Sequence, residues 1–287
     1  MTAKKSGAKK CCDAPAATAS ACDYLCNMFS LVGKKAVVTG GGGVLGTDMA
    51  CALARAGAQV VLWDVREDAL AASAARIKKD CGCTEGIEYR KVDLMNEAEM
   101  VAAIDAAGDF QILLNACGGN KGKAPLVEQD METFRFVMKL NVEAGCFLPM
   151  KVVGKRWIEK KTPGCIINIA SMSSYVPLSG VWAYDAAKAA VKNLTEGAAK
   201  EFAPYGIRVN AIAPGFFIGE QNRRLLTNED GSLTDRGKAV IAHTPFGRFG
   251  EANELMGAVL YLASGQAAGF VTGITVPVDG GYLVQNI

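Results

Sequence analysis

The 287 residues carry 31 basic and 29 acidic side chains, a net charge of +2, and half of them are apolar. That near balance excludes a nucleic-acid footprint, which would need clustered excess basic charge. Ten cysteines are present, but no pair has CxxC spacing, Cys81-Gly-Cys83 has no ligand cluster beside it, and His243 is the single histidine. No metal site is therefore expected, and the cysteines read as reduced, mostly buried thiols of a cytoplasmic protein.

In chain order, residues 1–27 are rich in Ala, Lys, Ser and Cys and show neither strand nor helix period, so a disordered extension is expected. From residue 28 to 287 one domain is expected. Short apolar runs read as strands at Lys35 to Thr39, Gln59 to Asp64, Ile87 to Val92, Gln111 to Ala116, Cys165 to Ala170, Arg208 to Ala213 and Ile274 to Val278. Helical spacing fills Leu45 to Gly57, Glu67 to Lys79, Glu97 to Ala107, Val181 to Phe202 and Ala252 to Ala263. A long helix spans Met131 to Glu159, with a break or bend expected at Pro149. No run is long enough to cross a bilayer. Strands that are continuously apolar are covered on both faces, so the alternation predicts an α/β chain: a Rossmann-type, doubly wound, seven-stranded parallel sheet with helices on both sides.

Between the first strand and first helix lies Thr39-Gly-Gly-Gly-Gly-Val-Leu-Gly46. A helix N-terminus offers free amides and a positive dipole end, and glycine lets a pyrophosphate approach the backbone. Gly41, Gly43 and Gly46 satisfy GxGxxG, which gains force from the strand-loop-helix context. A ligand-free tight turn is the bland alternative. Asp64 ends the second strand eighteen residues on. Its carboxylate would take the ribose hydroxyls and repel a 2′-phosphate, favouring NAD over NADP, although Arg66 stands near enough to pair with that phosphate.

Tyr184-Asp-Ala-Ala-Lys188 places a phenol and an ammonium one helical turn apart on one face. A phenol near pKa 10 is a poor base at neutral pH, and a neighbouring ammonium favours the phenolate. Tyr184 can then exchange a proton with a substrate oxygen. YxxxK alone is common by chance, a surface Tyr and a solvated Lys being the alternative, and the surrounding motifs are what give it meaning.

From about Phe29 to the C-terminus the chain resembles the short-chain dehydrogenase/reductase family. Asn115-Ala-Cys-Gly118 stands where the family has its motif after the fourth strand, and Ser171 precedes Tyr184 by thirteen residues. Asn141, in Leu140-Asn-Val-Glu, matches a fourth catalytic position, and Arg208-Val-Asn-Ala-Ile-Ala-Pro-Gly215 and Val278-Asp-Gly-Gly281 match two late signatures. The resemblance implies an NAD(P)-dependent oxidoreductase acting on a CH–OH group. It makes Tyr184 the general acid/base, Lys188 its acidifier and ribose ligand, Ser171 a donor to the substrate oxygen, and Asn141 the holder of a proton-path water. Cofactor contacts would come from Gly40, Gly43, Val44, Leu45, Gly46, Asp64, Val65, Asp93, Leu94, Asn115, Gly118, Pro214, Gly215 and Ile218, together with Tyr184 and Lys188. Two positions depart from the family: Val44 replaces a loop glycine, and Gly219 replaces the threonine that holds the carboxamide, leaving that role to Ile218 or Glu220.

Within the family, Gly118-Gly-Asn120, Gly215-Phe-Phe217 with Glu220-Gln-Asn-Arg223, and His243-Thr-Pro-Phe-Gly-Arg-Phe249 resemble sugar-acid dehydrogenases of the D-mannonate oxidoreductase (fructuronate reductase) type. A hexuronate needs a polar pocket with a cation, so Ser171, Ser173, Asn120, Lys121, Tyr184, Glu220, Asn222 and Arg223 are the expected substrate contacts. Surface charge is the alternative for Arg223, and structural roles are expected of Trp182 and His243. The rival readings are a family reductase for another carbonyl, such as a 3-oxoacyl group or another ketose, and a silent NAD sensor. No nucleic-acid or membrane partner is expected. A homotetramer, or a dimer, is implied by the resemblance.

Overall fold

The computed structural model describes residues 19–83, 85–218 and 226–285, with backbone alone for 19–22. Seven parallel strands form one sheet in the order β3-β2-β1-β4-β5-β6-β7. They are β1 (Lys35–Thr39), β2 (Gln59–Asp64), β3 (Ile87–Lys91), β4 (Ile112–Asn115), β5 (Gly164–Ile169), β6 (Ile207–Pro214) and β7 (Thr275–Val278). The expected doubly wound α/β sheet is therefore the observed one. Successive residues of the central strands feed two separate cores: Val37, Leu113, Ile166 and Val209 on one face, Val38, Leu114, Ile167 and Ile212 on the other. Burial on both sides is why these strands read as unbroken apolar runs. β3 differs because it is an edge strand, with only its first residue buried.

Helices α2 (Val44–Arg55), α3 (Glu67–Cys81), α4 (Glu97–Ala107), α5 (Met131–Met138), α6 (Leu148–Lys160), α7 (Trp182–Phe202), α8 (Asp235–Ala242) and α9 (Asn253–Ala263) cover the faces. None among the described residues is long and apolar enough to cross a membrane. α8 lies in a stretch where no helix was expected. It opens on Thr234, whose hydroxyl accepts from the Gly237 amide.

Four expectations need correction. First, within residues 1–27, Ala19–Phe29 form a helix, α1, preceding β1; residues 1–18 lie outside the described residues. It is tied down where Ser264 Oγ donates to the Met28 carbonyl at 2.6 Å. Second, the long helix does not break at Pro149. Lys139–Phe147 widen into π-helix and α6 resumes beyond it. Proline has no N–H and its ring crowds the carbonyl one turn back, and the wider turns ahead of it relieve both demands. Third, Cys81 and Cys83 form a disulfide: Gly82, in the left-handed conformation at φ 65°, turns the chain so that their Cα atoms lie 5.4 Å apart. Cys51, Cys146 and Cys165 are free and buried as expected, and Cys117 is free and half-buried. Fourth, Leu94 is buried in the core, so only its backbone can meet a cofactor.

Candidate active site

The C-terminal ends of β1, β4, β5 and β6 converge on one crevice, the position where open parallel sheets bind ligands. β1 ends at Thr39, and Gly40 turns the chain at φ 66°, where a side chain would strike the Ala116–Cys117 backbone at 2.8 Å. Gly43 caps α2, and the first intrahelical bond runs from the Thr47 amide to its carbonyl at 2.9 Å. The amides of Val44, Leu45 and Gly46 thus head the helix without i−4 partners, a ready anion site. A Cβ on Gly46 would collide with the Gly40 carbonyl, so the close loop approach depends on that glycine. Val44, at the family's glycine position, is accommodated half-buried in the first turn.

Asp64, at the end of β2, accepts from the Gly42 amide at 3.2 Å and the Arg66 amide at 3.0 Å. Arg66 folds back so that its guanidinium donates to the Gly42 carbonyl at 3.1 Å and lies 3.4 Å from Asp64. The glycine loop, the acid and the arginine are one hydrogen-bonded unit. Val65 is exposed beside them. Asp93 is exposed beyond β3 and accepts from the Met95 amide at 2.9 Å.

β5 delivers Ser171. Its hydroxyl accepts the Ser173 amide at 3.1 Å and is also hydrogen-bonded to the Tyr184 hydroxyl. Tyr184 and Lys188 occupy the first turns of α7, as i, i+4 spacing requires, with the Lys188 ammonium 5.6 Å from the Tyr184 ring centre. Lys188 is 4 % exposed and donates to the Ile169 carbonyl at 2.8 Å. Burial pushes its pKa from 10.5 down to about 8, opposed by the nearby Cys146 and Cys117. Burial raises the Tyr184 phenol above its ordinary value, the Ser171 hydrogen bond opposes that rise, and Asp185 adds to it. The Lys188 ammonium, expected to acidify Tyr184, donates to the Ile169 carbonyl from beside the phenol ring.

Asn141 lies in the π segment. Its Nδ2 donates to the Gly119 carbonyl at 2.7 Å and the Val137 carbonyl at 2.8 Å, while Oδ1 accepts the Gly119 amide at 3.0 Å. The side chain thus clamps the turn after β4 and keeps one lone pair for a water. A Cβ on Gly118 would sit 2.6 Å from Asn141 Oδ1 and 3.2 Å from Lys188 Nζ, which brings loop, helix and π segment to one point. Gly145 makes the same approach possible lower down, its missing Cβ facing the Cys117 carbonyl.

Asn115, expected at the cofactor, points elsewhere. It is 1 % exposed and donates to Asn168 on β5 at 2.9 Å, and Asn168 donates to Thr195 on α7 at 2.9 Å. This chain ties β4, β5 and α7 beneath the catalytic residues. Its signal in the sequence is the asparagine inside Ile166-Ile-Asn-Ile169, in register with Asn115. Ser174 was missed as well: its hydroxyl donates to the Lys188 carbonyl at 2.7 Å and accepts the Ser171 amide at 3.3 Å.

On the substrate side, Ser173 is buried and its hydroxyl has no partner among the described residues. Trp182 Nε1 donates to the Ala124 carbonyl at 3.0 Å, a structural tie. Asn120 is exposed and donates to the Gly122 carbonyl at 2.8 Å, and the Lys121 ammonium lies 5.2 Å from the Phe136 ring centre. Glu220, Asn222 and Arg223, like Gly219, lie outside the described residues. Pro214 ends β6, and Gly215 packs so tightly that a Cβ would meet Asp279 Cα at 2.6 Å. Ile218 is half-buried just beyond.

Residues 43–283 match the family model described as enoyl-(acyl carrier protein) reductase. An uncharacterised oxidoreductase of Bacillus subtilis is 40 % identical over 272 residues, covering 90 % of this chain and 97 % of that protein. A gluconate 5-dehydrogenase of Gluconobacter oxydans is 35 % identical over 260 residues, covering 90 % and 98 %. Among solved structures, a protein of Haemophilus influenzae assigned as a D-mannonate oxidoreductase, with NAD bound, superposes with a TM-score of 0.82 at 32 % identity over 91 % and 99 % of the two chains. A gluconate 5-dehydrogenase of Burkholderia cenocepacia, with NADP and tartrate, gives 0.81 at 34 % identity over 91 % and 100 %. With matches of this extent, the chain belongs to the short-chain dehydrogenase/reductase family of nicotinamide-dependent oxidoreductases.

Proposed function

We propose that the protein interconverts a secondary alcohol of a sugar acid and the matching ketone, with D-mannonate and D-fructuronate the first pair to try and NAD the preferred cofactor. The observation that carries this reading is the convergence of Ser171, Tyr184, Lys188 and Asn141 above the glycine loop. The sugar-acid class is supported by the gluconate- and mannonate-acting relatives. NAD is favoured by the Asp64 carboxylate held at the loop, where a 2′-phosphate would meet negative charge.

A dinucleotide would lie with its phosphates on the Val44–Gly46 amides, its adenosine ribose at Asp64, its adenine near Val65, Asp93 and the Leu94 backbone, and its nicotinamide between Gly118, Pro214, Gly215 and Ile218. When bound it would supply the hydride acceptor or donor. Ser171 donates to the substrate oxygen and fixes it against the Tyr184 hydroxyl. Tyr184 takes or returns the proton on that oxygen. Lys188 would hold the nicotinamide ribose, and a positive charge next to the phenol favours its deprotonated form. Asn141 holds the Gly119 turn in place and would bind the water that leads the proton out. Ser173, Asn120, Lys121, Glu220, Asn222 and Arg223 remain the proposed substrate contacts.

Assembly into a homotetramer, with a dimer as the lesser alternative, fits a 660 Å³ groove between α6 and α7 that exposes half of Phe147 next to Gly197 and Ala198. A cytoplasmic location is the reading that the free Cys51, Cys117, Cys146 and Cys165 support, with the Cys81–Cys83 disulfide the exception. Absorbance at the NADH band tests the reading. Turnover of D-mannonate with NAD, or of D-fructuronate with NADH, is expected; tight NADH binding with no turnover of any sugar acid, polyol or ketone would refute it.

A further inference from the structure

A carboxylate-bearing substrate needs donors or a cation where its acid group comes to rest. Lys121, one of the proposed contacts, lies over the Phe136 ring face. A different set gathers around the chain that leaves β6. Phe216 directly follows Pro214 and Gly215, and its ring meets Tyr282 edge-on at 5.6 Å. Tyr282 meets His243 in the same manner at 4.6 Å. His243 caps the C-terminus of α8. Arg236 lies seven residues earlier, two helical turns, on the same face of that helix.

The cluster is held by packing beneath it. Gly280 and Gly281 both have positive φ, and a Cβ on either would touch Thr244 or Pro245 at 3.0 Å. The Phe246 amide donates to the Gly280 carbonyl at 3.1 Å, locking the segment after α8 to the turn after β7. Burial raises the Tyr282 phenol, and the positive charge of Arg236 close by opposes the rise. Among the described residues, the Tyr282 hydroxyl, the His243 ring nitrogens and the Arg236 guanidinium enter no hydrogen bond or ion pair. Three donors of suitable kind therefore stand unspent beside Phe216, two residues past Pro214. The proton-transfer residues do not account for them.

We infer that Arg236, His243 and Tyr282 form the subsite that receives the substrate carboxylate, an inference that rests on the sugar-acid reading above. The guanidinium offers paired N–H groups to both carboxylate oxygens, and the phenol and imidazole each add a donor. The Phe216 ring supplies the apolar floor that shields the pair from water. Such a subsite binds ground state and transition state alike, so its loss raises KM and leaves kcat in place.

The test compares each sugar acid with the polyol of the same carbon skeleton, in which CH₂OH replaces the carboxylate: D-gluconate with sorbitol, D-mannonate with mannitol. The polyol is measured as substrate or, where it is not turned over, as a competitive inhibitor. Arg236→Gln, His243→Gln and Tyr282→Phe change exposed or half-buried residues, and an unaltered unfolding midpoint confirms an intact fold. Arg236→Gln is expected to raise KM for the acid about tenfold or more, the loss of one charge-assisted pair, with kcat held within about twofold and the polyol constant unchanged. Tyr282→Phe and His243→Gln are expected to act in the same direction by smaller factors. An equal change for acid and polyol, or no change for the acid, would overturn the subsite. A parent protein that turns over neither sugar acid would defeat the sugar-acid reading itself, a separate result seen before any variant is made.

Discussion

Replacing Lys188 by methionine should stabilise the cofactor-free protein while abolishing its activity. The ammonium is 4 % exposed and has one hydrogen bond, to the Ile169 carbonyl. Burial takes its pKa from 10.5 to about 8. At about 1.4 kcal/mol per pH unit, the fold disfavours the charged form by roughly 3 kcal/mol. The unfolded chain keeps its proton up to 10.5 and the folded chain releases it near 8. The penalty is therefore fully present below pH 8 and fades as the pH climbs toward 10.5. Methionine fills much of the same volume without the charge, but it leaves the Ile169 carbonyl unpaired, which costs about 1 kcal/mol. A net gain of about 2 kcal/mol is expected at pH 7. Urea unfolding of both proteins, followed by tryptophan fluorescence at pH 7 and again at pH 9.5, reads it. The comparison must be made between the two proteins, because Cys117, Cys146 and Cys165, whose thiols are pushed up to about 11, 12 and 11, also titrate differently on unfolding in alkali. A variant less stable than its parent at pH 7, or an advantage that does not shrink with pH, would refute the reasoning.

Gly46→Ala puts a methyl group into the Gly40 carbonyl and 3.0 Å from its carbon, so the start of α2 must shift; NADH affinity by fluorescence titration should fall at least tenfold, and an unchanged Kd would remove the loop from the cofactor site. Asn141→Ala deletes three hydrogen bonds that hold the Gly119 turn and Val137; kcat should drop about a hundredfold with NADH affinity within a few-fold, whereas a loss of NADH binding alone would make Asn141 a cofactor-loop support without a part in proton transfer.

The sheet was legible because parallel strands buried on both faces have no polar side to write. Val37 and Val38, or Ile166 and Ile167, point into opposite cores and are apolar alike. The glycine loop was legible because close backbone packing leaves few other residues possible at Gly40 and Gly46. Helix α1 was not, since its contacts with the rest of the chain, such as that at Ser264, are long-range and leave no local period. Pro149 was read by its usual rule, yet a helix has a second answer to proline, and the π turns that supply it also carry Asn141 and Gly145 to the crevice. The disulfide between Cys81 and Cys83 depended on one left-handed glycine, a backbone angle that composition does not announce. The catalytic pair was recognisable by spacing, but its surroundings were not: only the fold shows Lys188 buried and donating to Ile169. Asn115 was assigned to the cofactor by its neighbourhood in the motif, and register with Asn168 turned its side chain inward.

The proton-transfer role of Tyr184 is the claim on which the rest depends, and Tyr184→Phe tests it most directly. The substitution keeps the ring and removes only the hydroxyl that Ser171 engages. With saturating cofactor and the best sugar-acid substrate, kcat should fall by about a thousandfold, within the range that positioned acid–base groups contribute. The NADH dissociation constant should stay within about threefold of the parent value. Turnover at the parent rate, with NADH binding intact, would contradict the account.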